Sequence, residues 1–141
     1  MLYNDFILLN DINKAEALLY ISNIACKELE NNTPIYSQAK TALFLSEKFI
    51  KENFQNVDAI ELSSYLNNPD EKKDLGMLIC SAKNKKEQLA LDVIIYTVGF
   101  ISKIAHEKTK TTEKMPEPVV EASADVVYNA FKSYSEMKRI V

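Results

Sequence analysis

Only two glycines occur in 141 residues, and both stand inside apolar runs. Phosphate-cradling loops, nucleophile elbows and tight hairpins draw on glycine, because it takes positive φ without steric cost and lets another group approach the backbone. With only Gly76 and Gly99 present, that repertoire is nearly closed. Alternating strands and hairpin signals are also lacking, so the chain reads as all-α.

Helix-start signals recur along the sequence. Asn13 with Glu16 is a capping-box spacing, followed by an apolar face of Ala17, Leu18, Ile21, Ile24, Ala25 and Leu29. Thr33-Pro34 reads as a cap followed by a proline at the first helical position, ahead of Ile35, Ala39, Ala42, Leu43, Phe49, Ile50 and Phe54. Asp58 with Glu61 opens a shorter helix through Leu66. Asn68-Pro69-Asp70-Glu71 predicts a fourth start, carrying Leu75, Leu78, Ile79 and Ala82. Asn84 with Glu87 begins the longest pattern, to about Lys108, with Ala90, Leu91, Ile94, Val98, Ile101, Ile104 and Ala105 on one face. Val93, Ile95 and Phe100 lie off that stripe, which marks a helix packed on several sides. Gly99 in its interior costs about 1 kcal/mol relative to Ala, and a close crossing by a neighbour is the reason to expect it there.

A polar loop follows over Thr109 to Pro118, then a last helix with Val120, Ala124, Val127, Ala130, Phe131, Tyr134 and Met137 inward. The form of the short apolar segment from Asp5 to Leu9 stays open. The expectation is one domain over residues 1–141, a compact bundle of about six helices around a central, largely buried one.

Few residues offer chemistry. His106 is the single histidine; a second metal ligand four residues on would fall at Lys110, so it reads as a surface or last-turn residue. Carboxylates cluster at Asp58 and Glu61 and at Asp70, Glu71 and Asp74, where capping and the helix dipole account for Asp58, Glu61, Asp70 and Glu71. Cys26 and Cys80 each adjoin apolar residues and read as two buried thiols rather than a disulfide. No serine has an elbow or a base to activate it. The reading is therefore non-enzymatic, without cofactor or metal.

Apolar runs such as Val93 to Tyr96 fall far short of the ~20 residues of a membrane span. Asp5 and Asp11 flank the first apolar run, unlike the basic start of a signal peptide, so the expected location is the cytoplasm. Charge is unevenly spread: −6 over residues 1–71, +4 over 72–110 and −1 over 111–141. The acidic half suits a basic partner; the plainer alternative is that these charges solvate helix faces. Lysines gather at Lys83, Lys85 and Lys86 and again at Lys103, Lys108, Lys110 and Lys114, but Arg139 is the single arginine. Specific base reading leans on arginine, which makes nucleic acid an unlikely ligand.

From Leu91-Asp92-Val93-Ile94-Ile95-Tyr96-Thr97-Val98-Gly99-Phe100 to Ala105-His106-Glu107, then through Met115–Pro118 and Ala124–Tyr134, the chain resembles small helical immunity proteins. These are encoded beside polymorphic bacterial toxins, including those of contact-dependent growth inhibition systems. The resemblance implies binding to the C-terminal domain of a cognate toxin, a nuclease by the charge argument, and occlusion of its active site. It transfers no site residue. Charge alone nominates Glu61, Tyr65, Asp70, Glu71 and Asp74, in the acidic half, as toxin-binding residues. The competing class is a helical regulator or scaffold that holds nucleic acid or a partner helix through the lysine-rich segment.

Overall fold

A computed structural model describes residues 1–53 and 55–139. Phe54, assigned from the sequence to an apolar face, lies outside them. Among these described residues eight α-helices follow in order: α1 (Tyr3–Ile7), α2 (Asp11–Glu28), α3 (Thr33–Lys51), α4 (Ala59–Ser63), α5 (Leu75–Leu78), α6 (Lys85–Thr109), α7 (Glu117–Val120) and α8 (Ala124–Lys138). Single 3₁₀ turns occupy Ser64–Leu66, Glu71–Lys73, Ile79–Ser81 and Thr112–Lys114, and no strand occurs among the described residues. The all-α expectation is met, with short helices and turns supplementing the segments legible in the sequence.

The centre is α6, which packs against α2, α3, α4, α5, α7 and α8. Leu91, Val93, Ile94, Val98 and Ile101 are all fully buried, so both the stripe and an off-stripe residue enter the core. By length and apolarity α6 resembles a membrane span, more so than the short runs suggested, yet 72% of its most apolar window is buried within the protein. Core helices of globular folds share that composition. Within the α2–α6 contact, the Ser22 and Thr97 hydroxyls meet at 2.7 Å, pairing two polar groups that are both fully buried.

Gly99 performs the expected role. A Cβ there would lie 2.9 Å from that of Ala122 and 3.4 Å from the Pro118 carbonyl oxygen, so the α7–α8 connection rests directly on the α6 backbone. Neither glycine takes positive φ. The left-handed positions fall instead to Asn53, Asn56, Lys110 and Arg139, the last two closing α6 and α8.

Several helix starts differ from the sequence reading. Asn10, not Asn13, caps α2, its side chain accepting from the Asn13 N–H at 2.8 Å. Thr33 is already helical and Asn32 occupies the cap position without capping. Its amide instead donates to Glu87 Oε1 at 2.9 Å and the Ser81 carbonyl at 2.8 Å, binding the start of α3 to the start of α6. Asn84 does cap α6, accepting from the Glu87 N–H at 2.9 Å. In the last segment Val119, not Val120, enters the core; Val120 is 49% exposed. The N-terminal segment resolves into α1, whose Phe6 packs among Tyr128 and Phe131 of α8.

Candidate interaction surface

Residues 58–82 form a series of short turns laid across α6. Ala59, Leu62, Leu66, Leu75 and Leu78 are buried and supply the adhesion, leaving most of the intervening polar residues outward, Ser63 and Asp74 excepted. The backbone of this segment is held by its own carboxylates. Asp58 accepts from the Ile60 N–H at 2.8 Å and so starts α4 as the sequence indicates. Pro69 does not open a helix. Asn68 Oδ1 accepts from the Asp70 N–H at 2.9 Å, and Asp70 in turn caps only the 3₁₀ turn through the Lys72 N–H at 3.1 Å. A side chain bonding its own backbone two residues on favours a turn over a helix, which explains the difference.

Asp74 is buried and accepts twice, from the Asn68 N–H at 3.0 Å and the Met77 N–H at 3.2 Å. One carboxylate therefore closes the 68–74 loop and caps α5. Gln38 adds a tie from α3, donating to the Lys73 carbonyl at 3.0 Å.

The nominated residues divide accordingly. Glu61, Asp70 and Glu71 are exposed, and Tyr65 is half-buried. Burial and the nearby Glu61 carboxylate push the Tyr65 phenol above its ordinary range, keeping it a neutral donor. Asp74 faces inward as a structural acceptor. Ile60 and Met77, 47% and 49% exposed, add apolar area in the same segment that charge-based reasoning overlooks. Lys72 and Lys73 are also exposed there and dilute the acidic character locally.

His106 is not a surface residue. It is fully buried, with Nδ1 2.8 Å from Thr111 Oγ1 and 3.0 Å from the Thr111 carbonyl, and Nε2 3.2 Å from Ser63 Oγ. The Thr111 carbonyl only accepts, so it takes its hydrogen bond from Nδ1, while Nε2 faces the Ser63 hydroxyl, which itself donates to the Ile60 carbonyl at 3.2 Å. The imidazole thus joins α4 to the left-handed end of α6. Hydrogen-bonding partners around a buried ring of this kind could be read from sequence only with the fold in hand.

Cys26 is buried, and burial pushes its thiol up to about 11. Cys80, contrary to expectation, is exposed: it lies in the 3₁₀ turn after α5 on the side away from the core, and both thiols are free. Among the described residues no three His, Cys, Asp or Glu side chains gather closely enough to hold a metal ion. Lys83, Lys85 and Lys86 are exposed at the start of α6.

The sequence model of the family described as Immunity protein Imm6 matches residues 13–140, far more of the chain than the segments that carry the resemblance. No curated protein and no solved structure matches. The chain belongs to the Imm6 immunity protein family.

Proposed function

We propose that this Imm6-family chain neutralises its toxin by covering a basic active-site groove, that of a nuclease, with the outer side of residues 58–77. The toxin partner follows from the family; the target chemistry and the surface are argued from charge and geometry. A nuclease must hold phosphates with cations, so its groove attracts carboxylates. The Glu61 and Glu71 carboxylates are exposed and enter no ion pair among the described residues, which leaves both available to such a groove. That observation carries the proposal. Tyr65, Ile60 and Met77 supply contact area, and Asp74 holds the segment in shape before binding, reducing the ordering cost of association. The setting is the cytoplasm, and binding the toxin's C-terminal domain requires no catalysis by this chain.

The test combines Glu61→Lys, Asp70→Asn and Glu71→Lys in one variant, the asparagine keeping an acceptor for the Lys72 N–H. Association with the paired toxin should slow by about tenfold or more and lose much of its salt dependence, with circular dichroism unchanged. Protection in co-expression should fall with it. Reversing Lys83, Lys85 and Lys86 should leave protection intact. If the lysine reversals abolish protection and the acidic ones do not, the surface is misassigned. Retardation of DNA at physiological salt with no toxin binding would replace the proposal with the regulator reading.

A further inference from the structure

The α2–α3 pair carries an open groove of about 390 Å³, on a different set of residues from those proposed to meet the toxin. Its α2 wall consists of Glu16, Leu19, Tyr20, Asn23, Ile24 and Lys27, and its α3 wall of Glu47, Ile50 and Lys51. Tyr20 is 67% exposed, and Phe44, one turn before Glu47 on the same side of α3, is 64% exposed. Two aromatic side chains left so far in water mark a surface suited to burial against a partner.

We infer that this groove seats a second copy of the chain, the two α2 helices packing antiparallel about a two-fold axis near residues 21 and 22. An isologous contact requires that residue i meet residue j while j meets i. In an antiparallel helix pair, facing positions add to a constant. The six residues of the α2 wall satisfy one constant: Glu16 faces Lys27 of the partner subunit, Leu19 faces the partner's Ile24, and Tyr20 faces the partner's Asn23. The outward pairings match in chemistry, as acid with base and phenol with amide, while Leu19, only 5% exposed, belongs to the core beneath the groove and adds little contact of its own.

Helical spacing alone makes such a stripe symmetric in position, but it does not place opposite charges at the two ends. Within one chain Glu16 and Lys27 stand about 16 Å apart along the helix, too far to pair. Neither has an ion-pair partner among the described residues. The two-fold arrangement pairs both, twice over. On the other wall Glu47 already meets Lys51 at 3.9 Å, so it presents little net charge to an incoming helix.

Sedimentation of the full chain across a concentration series tests this. The wild type should move from 16.0 kDa toward twice that mass as concentration rises. Glu16→Lys alone and Lys27→Glu alone each set like charges opposite each other at two symmetric places, weakening the dimer on the order of 10–100-fold. Glu16→Lys with Lys27→Glu restores opposite charges and should restore the dimer, which a general effect on folding would not do. Two results overturn the inference: double reversal that leaves the chain as monomeric as either single one, or a wild type that stays at 16.0 kDa throughout. If that monomer also loses protection on Tyr20→Asp, the groove belongs to the toxin instead.

Discussion

Replacing Gly99 with alanine sets two opposed effects against each other. In a helix interior alanine is favoured over glycine by about 1 kcal/mol, so propensity alone predicts a more stable protein. The packing predicts the reverse. The added methyl would lie 2.9 Å from Ala122 Cβ, 3.4 Å from the Pro118 oxygen and 3.5 Å from Leu66 Cδ1. Carbon atoms settle at roughly 3.5–4.0 Å, so the first contact is too short by about 0.6 Å. Ala122 has no rotamer with which to retreat, and its N–H is held by the Val119 carbonyl at 3.1 Å, so the α7–α8 connection itself must move. Overpacking of this kind costs roughly 1–3 kcal/mol. The net expectation for Gly99→Ala is a loss of about 1 kcal/mol, read by urea unfolding with far-UV circular dichroism. Ala122→Gly clears the space, so in the Gly99→Ala background it should recover stability, whereas alone it should cost some. The coupling between the two should be on the order of 1–3 kcal/mol. A Gly99→Ala protein more stable by about 1 kcal/mol, with coupling below about 0.5 kcal/mol, would refute the close crossing.

Ile94→Ala should cost about 2–5 kcal/mol in the same assay, because the side chain is fully buried in α6; a loss under ~1 kcal/mol would move the packing centre elsewhere. Tyr134→Phe should be neutral or stabilising by up to about 1 kcal/mol, since the buried hydroxyl has no hydrogen-bond partner among the described residues; a clear loss would reveal one. Glu87 should make stability acid-sensitive. The Asn32 amide and then the Lys83 N–H hold its carboxylate below the usual range, against the opposing effect of burial. A folded-state pKa below the unfolded one adds stability above the ordinary carboxylate range, and that stability is lost as pH falls through the folded value. Glu87→Gln should therefore flatten the decline of melting temperature below about pH 4.5; an unchanged profile would assign the acid sensitivity to other groups.

Elements with long apolar periods were the easiest to read. The central position of α6 follows from apolar residues around much of its circumference, and its start from Asn84 with Glu87, because one side chain and one amide three residues on suffice to make that cap. The same local logic misplaced the cap of α3, put at Thr33, and the helix start at Pro69. Asn32 had a nearby backbone to serve, but Glu87, 55 residues away, offered a charged acceptor. At Pro69 three side chains, Asn68, Asp70 and Asp74, each took backbone amides within a few residues, so a chain of tight turns prevailed over a helix start. Cap chemistry is local, while the competition for a polar side chain is decided by tertiary neighbours that spacing does not reveal.

That distinction also bears on which carboxylates can meet a toxin. Charge counts along the chain treat Glu61, Asp70, Glu71 and Asp74 as equivalent, yet the fold gives them three different situations. Asp74 is enclosed and accepts two amides, Asp70 commits one oxygen to its turn, and Glu61 and Glu71 face solvent. An interaction surface needs both kinds. Exposed carboxylates supply the field that draws in a basic partner, and an enclosed one keeps the loop from changing shape as they dock. If the segment acts in this way, Asp74→Ala should weaken toxin binding through lost order in residues 68–74, with faster amide hydrogen exchange there. Asp74→Asn should be far milder, because its amide oxygen still accepts from one of the two backbone groups. Equal loss in both variants, with unchanged exchange, would mean that the Asp74 charge itself meets the toxin.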